Sequence, residues 1–357
     1  MIREFDLKLL MWMQENAEWF EMFSHILHVL VTDEGFSVLC PMLLWFTKPM
    51  SAVRVLMLSS LQEVSNGLIK WTFKFPRPFW VVSPLKNTGK VWEQDFSYPS
   101  SHAQTTASIG TMVLLTFPHW NISILVTILI FLTGISRVYR GVHFPTCVMT
   151  GWAVGIAEAH LMHCYDPVGW FITRPEGEQY MAAGAVFVGL YFLLAAVRAL
   201  VPDRPPAVLE RWSKHAVANT AGTKYEARAG LISTETLLQP RRLDKYHMQI
   251  GSLFGCMLGV IWALQDSQNS VLSFLEEDCD AHRLVQCGRC LVGFVGAAVV
   301  VVPFGFLIPK KFSSNKLVAN VSEIFGFIML GIWCVYLTPK ISNDFFNLSC
   351  PLQRPVN

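Results

Sequence analysis

The chain has 357 residues, of which 52% are hydrophobic and only 15% charged, with a formal net charge of +2. Soluble domains carry about 25% charged residues, and the long apolar blocks of this chain are too many for one soluble core. No basic patch interleaved with aromatics points to nucleic acid. Apolar runs near the ~17–25 residues of a span lie at about 50–69, 119–135, 179–201, 247–264, 291–308 and 318–338. Shorter or more polar runs lie at about 35–47, 103–117 and 146–164. The expected fold is all-α, a polytopic membrane helical bundle of about nine spans. The expected organisation is an N-terminal amphipathic interfacial helix (1–34), a membrane core (35–201), a basic extramembrane loop (202–245) and a C-terminal three-span membrane region (246–357).

In chain order, Leu9, Leu10, Met13, Phe20, Phe23 and Leu27 recur at helical spacing between 6 and 31, which predicts an amphipathic helix lying at the membrane surface. No apolar run followed by small residues resembles a cleavable signal. Asp33-Glu34-Gly35 ends this helix and Pro49 opens a later one. That later helix carries Gln62, Glu63, Asn66 and Lys70; Glu63 and Lys70 share a face, and polar groups in a span point into the bundle. Pro76 and Pro78 stop it, and residues 79–98 form a loop placed to act as a lid. The small and hydroxyl residues Ala103, Thr105, Thr106, Ala107 and Ser108 predict close helix packing. His160 and His163 are an i, i+3 pair without a third ligand, and Cys287-Gly-Arg-Cys290 lacks a second half, so no metal site is assigned. Cys279, Cys287, Cys290 and Cys350 lie in polar segments and can pair only on an oxidising side.

Three polar islands stand at the ends of apolar runs: Lys70 to Arg77-Pro78, Tyr98-Pro99-Ser100-Ser101-His102, and Ser136-Arg137 to His143-Phe144-Pro145. A phosphate ester is an anion whose transferred group needs cations and N–H donors around its oxygens. Lys70, Arg77 and Arg137 can supply charge. Ser100 and the amides of Ser101 and His102, at a helix start, can supply donors and a favourable dipole. Two histidines can divide nucleophilic attack and proton transfer. Alternating spans bring the three islands to one membrane face. Taken singly, Lys and Arg at a membrane edge snorkel to head groups and Trp71, Phe79 and Trp80 form an interface belt. Arg140 is assigned to that bland role.

The three islands, in this order, resemble the signature of the type 2 phosphatidate phosphatase (PAP2) superfamily, KxxxxxxRP, PSGH and SRxxxxxHxxxD, over roughly residues 35–200. Lys70 to Pro78 matches the first in full. Pro99-Ser100-Ser101-His102 matches the second with Ser101 for Gly, and Ser136-Arg137 to His143 matches the third. The resemblance implies a six-helix core, no cofactor or metal, His143 as nucleophile, His102 as acid, and Lys70, Arg77, Ser100, Ser101 and Arg137 around the phosphate. It implies a lipid phosphate substrate and a membrane phosphatase of the endoplasmic reticulum or another endomembrane. Cys147 stands where the family has Asp, which orients the histidine. Glucose-6-phosphatases also lack that Asp, and they share the His-Phe-Pro, the Lys-Trp start and the aromatic pair after Arg-Pro. A soluble phosphate ester is therefore one alternative substrate, and a catalytically inactive, lipid-phosphate-binding relative is another reading. Lys310-Lys311 and the basic 202–245 loop on the site face, against Glu276, Glu277, Asp278, Asp280 and the sequon at Asn347, leave the orientation open. Oligomeric state is not legible.

Overall fold

Helices cross closely where a glycine presents no side chain, and the helices around the polar islands meet at two such points. The structure, a computed structural model, describes residues 4–30, 49–82, 85, 93–219, 241–266 and 283–346. Outside them lie the expected run at 35–47, the break at Asp33-Glu34-Gly35, the acidic stretch 276–280, Cys279, Cys350, the Asn347 sequon and residues 83, 84 and 86–92 of the expected lid. Among the described residues the chain is helical, with no strand.

Two compact units divide the chain: residues 1–36, 65–161 and 194–242 form the first, and 37–64, 162–193 and 243–357 the second. In the first, α1 (Glu4–Asn16) and α2 (Phe20–Leu30) replace the single helix expected over 6–31. The chain turns between them at 17–19. Part of their apolar surface lies on protein, where Leu10 packs with Ala103, Val138 and Val148 and the Phe20 and Tyr139 rings meet edge to face at 5.6 Å, while Phe5, Trp12, Met22 and Ile26 stay exposed. Gln14 Nε2 donates to the Tyr139 carbonyl (3.1 Å).

The helix α3 (Pro49–Phe73) starts on its proline and ends at Lys74, whose φ of 53° turns the chain out of the helix. A short turn, α4 (Pro78–Val81), follows Arg77. Then come α5 (Ser101–Thr116), α6 (Trp120–Tyr139) and α7 (Pro145–Tyr165). A Cβ on Gly155 would sit 2.3 Å from the Gln104 carbonyl oxygen, and one on Gly151 would sit 2.7 Å from that of Ser100. Those two glycines let α5 and α7 touch backbone to backbone, as small residues do in membrane helices. A buried polar cluster ties the same elements: Asn66 Nδ2 donates to Gln104 Oε1 (2.8 Å), Gln104 Nε2 donates to both Glu158 oxygens (3.0 Å), and the Ser65 hydroxyl donates to Glu158. Such bonds satisfy polar groups that an apolar surrounding would otherwise leave costly.

Trp71, Phe79 and Trp80 are buried rather than at a membrane interface. Phe79 and Trp80 form a cluster with Phe96, Val142, Trp212 and Ala216. Trp212 comes from α10 (Pro206–Ala218), a helix inside the segment expected to be a loop. Its ring meets that of Trp80 at 5.9 Å. Arg241 donates to the Val197 and Val201 carbonyls (3.1 and 2.8 Å), satisfying the end of the preceding helix α9 (Glu176–Leu200).

The second unit holds α8 (Pro167–Ile172), α11 (His247–Gln265), α12 (Arg283–Val301), α13 (Ile308–Lys311), α14 (Lys316–Ile332) and α15 (Thr338–Phe346). Here α11 and α14 pack through Gly255, where a Cβ would sit 2.0 Å from the Ile328 carbonyl. His247 and Glu323 join the same two helices at 3.3 Å. Cys287 and Cys290 are both thiols.

Five described stretches are long and apolar enough to cross a membrane: Trp120–Tyr139, Glu176–Leu200, Asp244–Gln265, Cys287–Lys311 and Lys316–Ser342. The helices α3, α5 and α7, also expected as spans, carry the polar residues that face one another in the cluster above. The chain is an integral membrane protein.

Candidate active site

Each polar island occupies a helix end in the first unit, and the structure brings all three together. Lys70 stands in the last turn of α3 and is 1% exposed; its Nζ lies 3.8 Å from Asp95 Oδ2. Arg77 caps α4 and spends its donors on four groups. Nε donates to the Asp95 carbonyl (2.7 Å), Nη1 to the Val142 carbonyl (3.2 Å), Nη1 also to His143 Nε2 (3.2 Å), and Nη2 meets Glu93 Oε2 (3.1 Å). Arg137, in the last turn of α6, donates from Nη2 to Glu93 Oε1 (2.6 Å). Ser100 caps α5: its Oγ accepts from the Ala103 amide (3.4 Å), and its own amide donates to the Cys147 carbonyl (3.1 Å). Ser101 and His102 are the first two residues of α5 and are partly exposed. Their position follows from the α5–α7 contact, which anchors the start of α5 beside the start of α7.

His143 lies in the turn between α6 and α7 and is 1% exposed. Its tautomer follows from its two partners. A guanidinium can only donate, so Nε2 must accept from Arg77. A carbonyl can only accept, so Nδ1 must carry the hydrogen that reaches the Ser97 carbonyl at 2.8 Å. Burial first, then Arg77, Arg137 and Lys70, hold His143 well below the ordinary imidazole range, against the opposing pull of Glu93. The ring is neutral, with its lone pair on the side of the cations.

The Ser97 carbonyl stands where an aspartate would orient the ring. Ser97 is itself held by its amide, which donates to the Phe75 carbonyl (2.9 Å). Cys147 Sγ lies 3.4 Å from Ser97 Oγ, beside this arrangement. Arg140, assigned to a snorkelling role from sequence, is buried instead, with Nη1 3.1 Å from His25 Nδ1, and holds α2 to the end of α6. His160 and His163 are exposed.

Sequence reasoning missed Glu93, Asp95 and Ser97. Burial works to raise the Glu93 carboxyl, but Arg77 and Arg137, then His102 and His143, outweigh it and hold the group well below the usual carboxylate range. Charge balance was the available signal: three cations converging on one helix-end cluster need acidic partners, and the loop before Pro99 carries two carboxylates within three residues. The assembled site can hold a tetrahedral anion between guanidiniums and present a neutral imidazole nitrogen to it.

The PAP2 superfamily model matches residues 50–169. Among curated proteins, the undecaprenyl-diphosphatase of Sulfolobus acidocaldarius is 41% identical over 83 residues, 23% of this chain and 36% of the relative. Phosphatidylglycerophosphatase B of Bacillus subtilis is 27% identical over 131 residues, 34% of this chain and 61% of the relative. The bacitracin transport permease protein BcrC of Bacillus licheniformis is 38% identical over 92 residues, 25% of this chain and 44% of the relative. The chain thus spans between about a third and three-fifths of the length of these relatives. No solved structure matches it significantly. The matched segment contains every residue of the three islands, and it is over residues 50–169 that this chain is similar to the PAP2 superfamily.

Proposed function

We propose that the chain is a metal-independent membrane phosphatase that hydrolyses a lipid phosphate through a phosphohistidine formed on Nε2 of His143. The observation that carries this reading is the fixed tautomer of His143, with its Nε2 lone pair beside Arg77 in a cluster with Arg137 and Lys70. In the first step the Arg77 Nη1 hydrogen bond passes from Nε2 to a phosphoryl oxygen, which frees the lone pair; Nε2 attacks phosphorus, the N–P bond forms and the P–O bond to the lipid breaks. His102, in the first turn of α5, gives its proton to the departing oxygen. Nδ1 keeps its hydrogen on the Ser97 carbonyl, so the positive charge that develops on the ring has an oriented acceptor. In the second step a water loses a proton to His102 and its oxygen attacks phosphorus. The N–P bond breaks, and inorganic phosphate leaves. Arg77, Arg137 and Lys70 offset the charge on the phosphoryl oxygens, and the start of α5, from Ser100 to His102, supplies amide donors.

Similarity to an undecaprenyl-diphosphatase and a phosphatidylglycerophosphatase supports a lipid phosphate as substrate. Residence in the endoplasmic reticulum or another endomembrane is proposed from the family resemblance alone. The test is phosphate release by the purified protein in detergent, without added metal, from phosphatidate, a sphingoid-base phosphate, isoprenyl mono- and diphosphates and glucose 6-phosphate. Release is expected from the lipid substrates and is expected to vanish in a folded His143→Ala variant. Preference for glucose 6-phosphate would move the substrate to the soluble class. Retained release in His143→Ala would overturn the nucleophile.

A further inference from the structure

Glu93 lies among the groups that the proposed reaction uses. Its two carboxylate oxygens are divided between two guanidiniums from different parts of the fold, Oε1 on Arg137 Nη2 (2.6 Å) and Oε2 on Arg77 Nη2 (3.1 Å). Arg–phosphate pairing uses the same N–H to oxygen geometry. The charges of His102 and His143 also act on this carboxylate. Its side chain is 21% exposed, whereas the two arginine side chains beneath it are 1% exposed. Glu93 therefore covers the cations from the open side.

We propose that Glu93 is a built-in competitor for the phosphate subsite: its carboxylate holds Arg77 and Arg137 until the phosphate of a substrate displaces it. The inference rests on the phosphatase reading above. Charge decides between displacement and co-occupancy. Lys70, Arg77 and Arg137 face the two carboxylates Glu93 and Asp95. A phosphate monoester dianion that replaces Glu93 leaves this cluster neutral. The same dianion bound beside Glu93 leaves these groups negative, or neutral with the protonated His102 that the first step needs, and in either case sets like charges against each other on two buried guanidiniums. Asp95 does not need to leave, because Arg77 Nε binds its main-chain carbonyl and its carboxylate stands 3.8 Å from Lys70 Nζ, beyond hydrogen-bond contact. Substrate binding is weakened by this competition, and the two arginines are kept neutralised and in place between turnovers.

The experiment compares full-length wild type and E93Q in detergent, with orthovanadate as the probe, by calorimetric titration, which needs no turnover. Glutamine keeps the shape and removes the charge. E93Q is expected to bind vanadate at least tenfold more tightly, and to lower KM for the preferred lipid phosphate by a greater factor than it changes kcat. Unchanged or weaker vanadate binding in E93Q, with an active wild type, would overturn the competitor role and leave the phosphatase reading standing. Failure of both proteins to bind vanadate or release phosphate would remove the phosphatase reading and the competitor with it. Should E93Q not fold, amide hydrogen exchange of wild-type Gln94 to Phe96 decides the matter. Vanadate is expected to speed exchange there, and equal or slower exchange would refute displacement.

Discussion

Gly155→Ala tests whether the α5–α7 contact sets the spacing of the two histidines. The added methyl would sit 2.3 Å from the Gln104 carbonyl oxygen and 2.9 Å from the Ser108 amide nitrogen, both main-chain atoms that no side-chain rotation can move away. Ordinary contact begins at 3.4 Å, so the helices must part by about 1 Å, an overpacking strain of roughly 1–3 kcal/mol. The bond from the Ser100 amide to the Cys147 carbonyl, now 3.1 Å, stretches beyond hydrogen-bond range, and His102 moves away from His143. A displacement of about 1 Å at a reacting centre lowers rate by about 100-fold. The assay pairs phosphate release with a thermal melt. Gly184→Ala and Gly189→Ala are the controls, since nothing lies within 4 Å of a Cβ at either position; both should keep the wild-type rate and melting temperature. Wild-type rate and stability in Gly155→Ala would refute the claim that this contact positions the histidine pair.

Cys147→Asp should change kcat by less than about threefold, because the Ser97 carbonyl already holds Nδ1–H; a rise of tenfold or more would mean that the carbonyl supports the imidazolium poorly. Arg140→Ala should lower the melting temperature through loss of the His25 contact and leave phosphate release within about threefold of wild type, since surface and structural pairs act on stability; a collapse of kcat with normal stability would place Arg140 in the site. Stability should also fall with acidity through His143. Below pH 6.5 the unfolded chain takes up a proton that the folded imidazole refuses, so this contribution is complete above pH 6.5 and is lost as pH drops towards the depressed folded value. Glu93, also depressed, acts in the same direction but only at lower pH, through the carboxylate range. Denaturant melts between pH 7.5 and 5 should therefore show a steeper loss in wild type than in His143→Ala; parallel curves would contradict a depressed His143.

The parts of this molecule that were legible in sequence are those fixed by helix ends. Lys70, Arg77, Ser100, His102, Arg137 and His143 sit at the first or last turns of α3, α5, α6 and α7 or in the turns that join them, so apolar runs between them were enough to bring them to one end. The α5–α7 contact was half legible: the small residues after Ser100 announced it, but the partner glycines at 151 and 155 acquire meaning only when the facing carbonyls are known. Ser97 was not legible, and Glu93 was legible only through charge balance, because their roles depend on the path of the segment before Pro99, which is fixed by a bond to Phe75 and by Arg77 rather than by any local pattern. Trp71, Phe79 and Trp80 were misplaced for the same reason. Membrane-edge aromatics default to an interface belt, and here Trp212, from an amphipathic helix hidden in a polar stretch, covers Trp80.

Because the acceptor on His143 Nδ1 belongs to the main chain, no substitution at a single codon can delete it. A side-chain acceptor is lost by one change of residue, whereas this one persists for as long as the polypeptide follows the same course past Phe75. On the proposed mechanism, position 147 is thereby released from orienting the ring, and a thiol there is tolerable. A search that demands an acidic residue four places after the histidine will pass over proteins built this way, although a main-chain acceptor orients their imidazole.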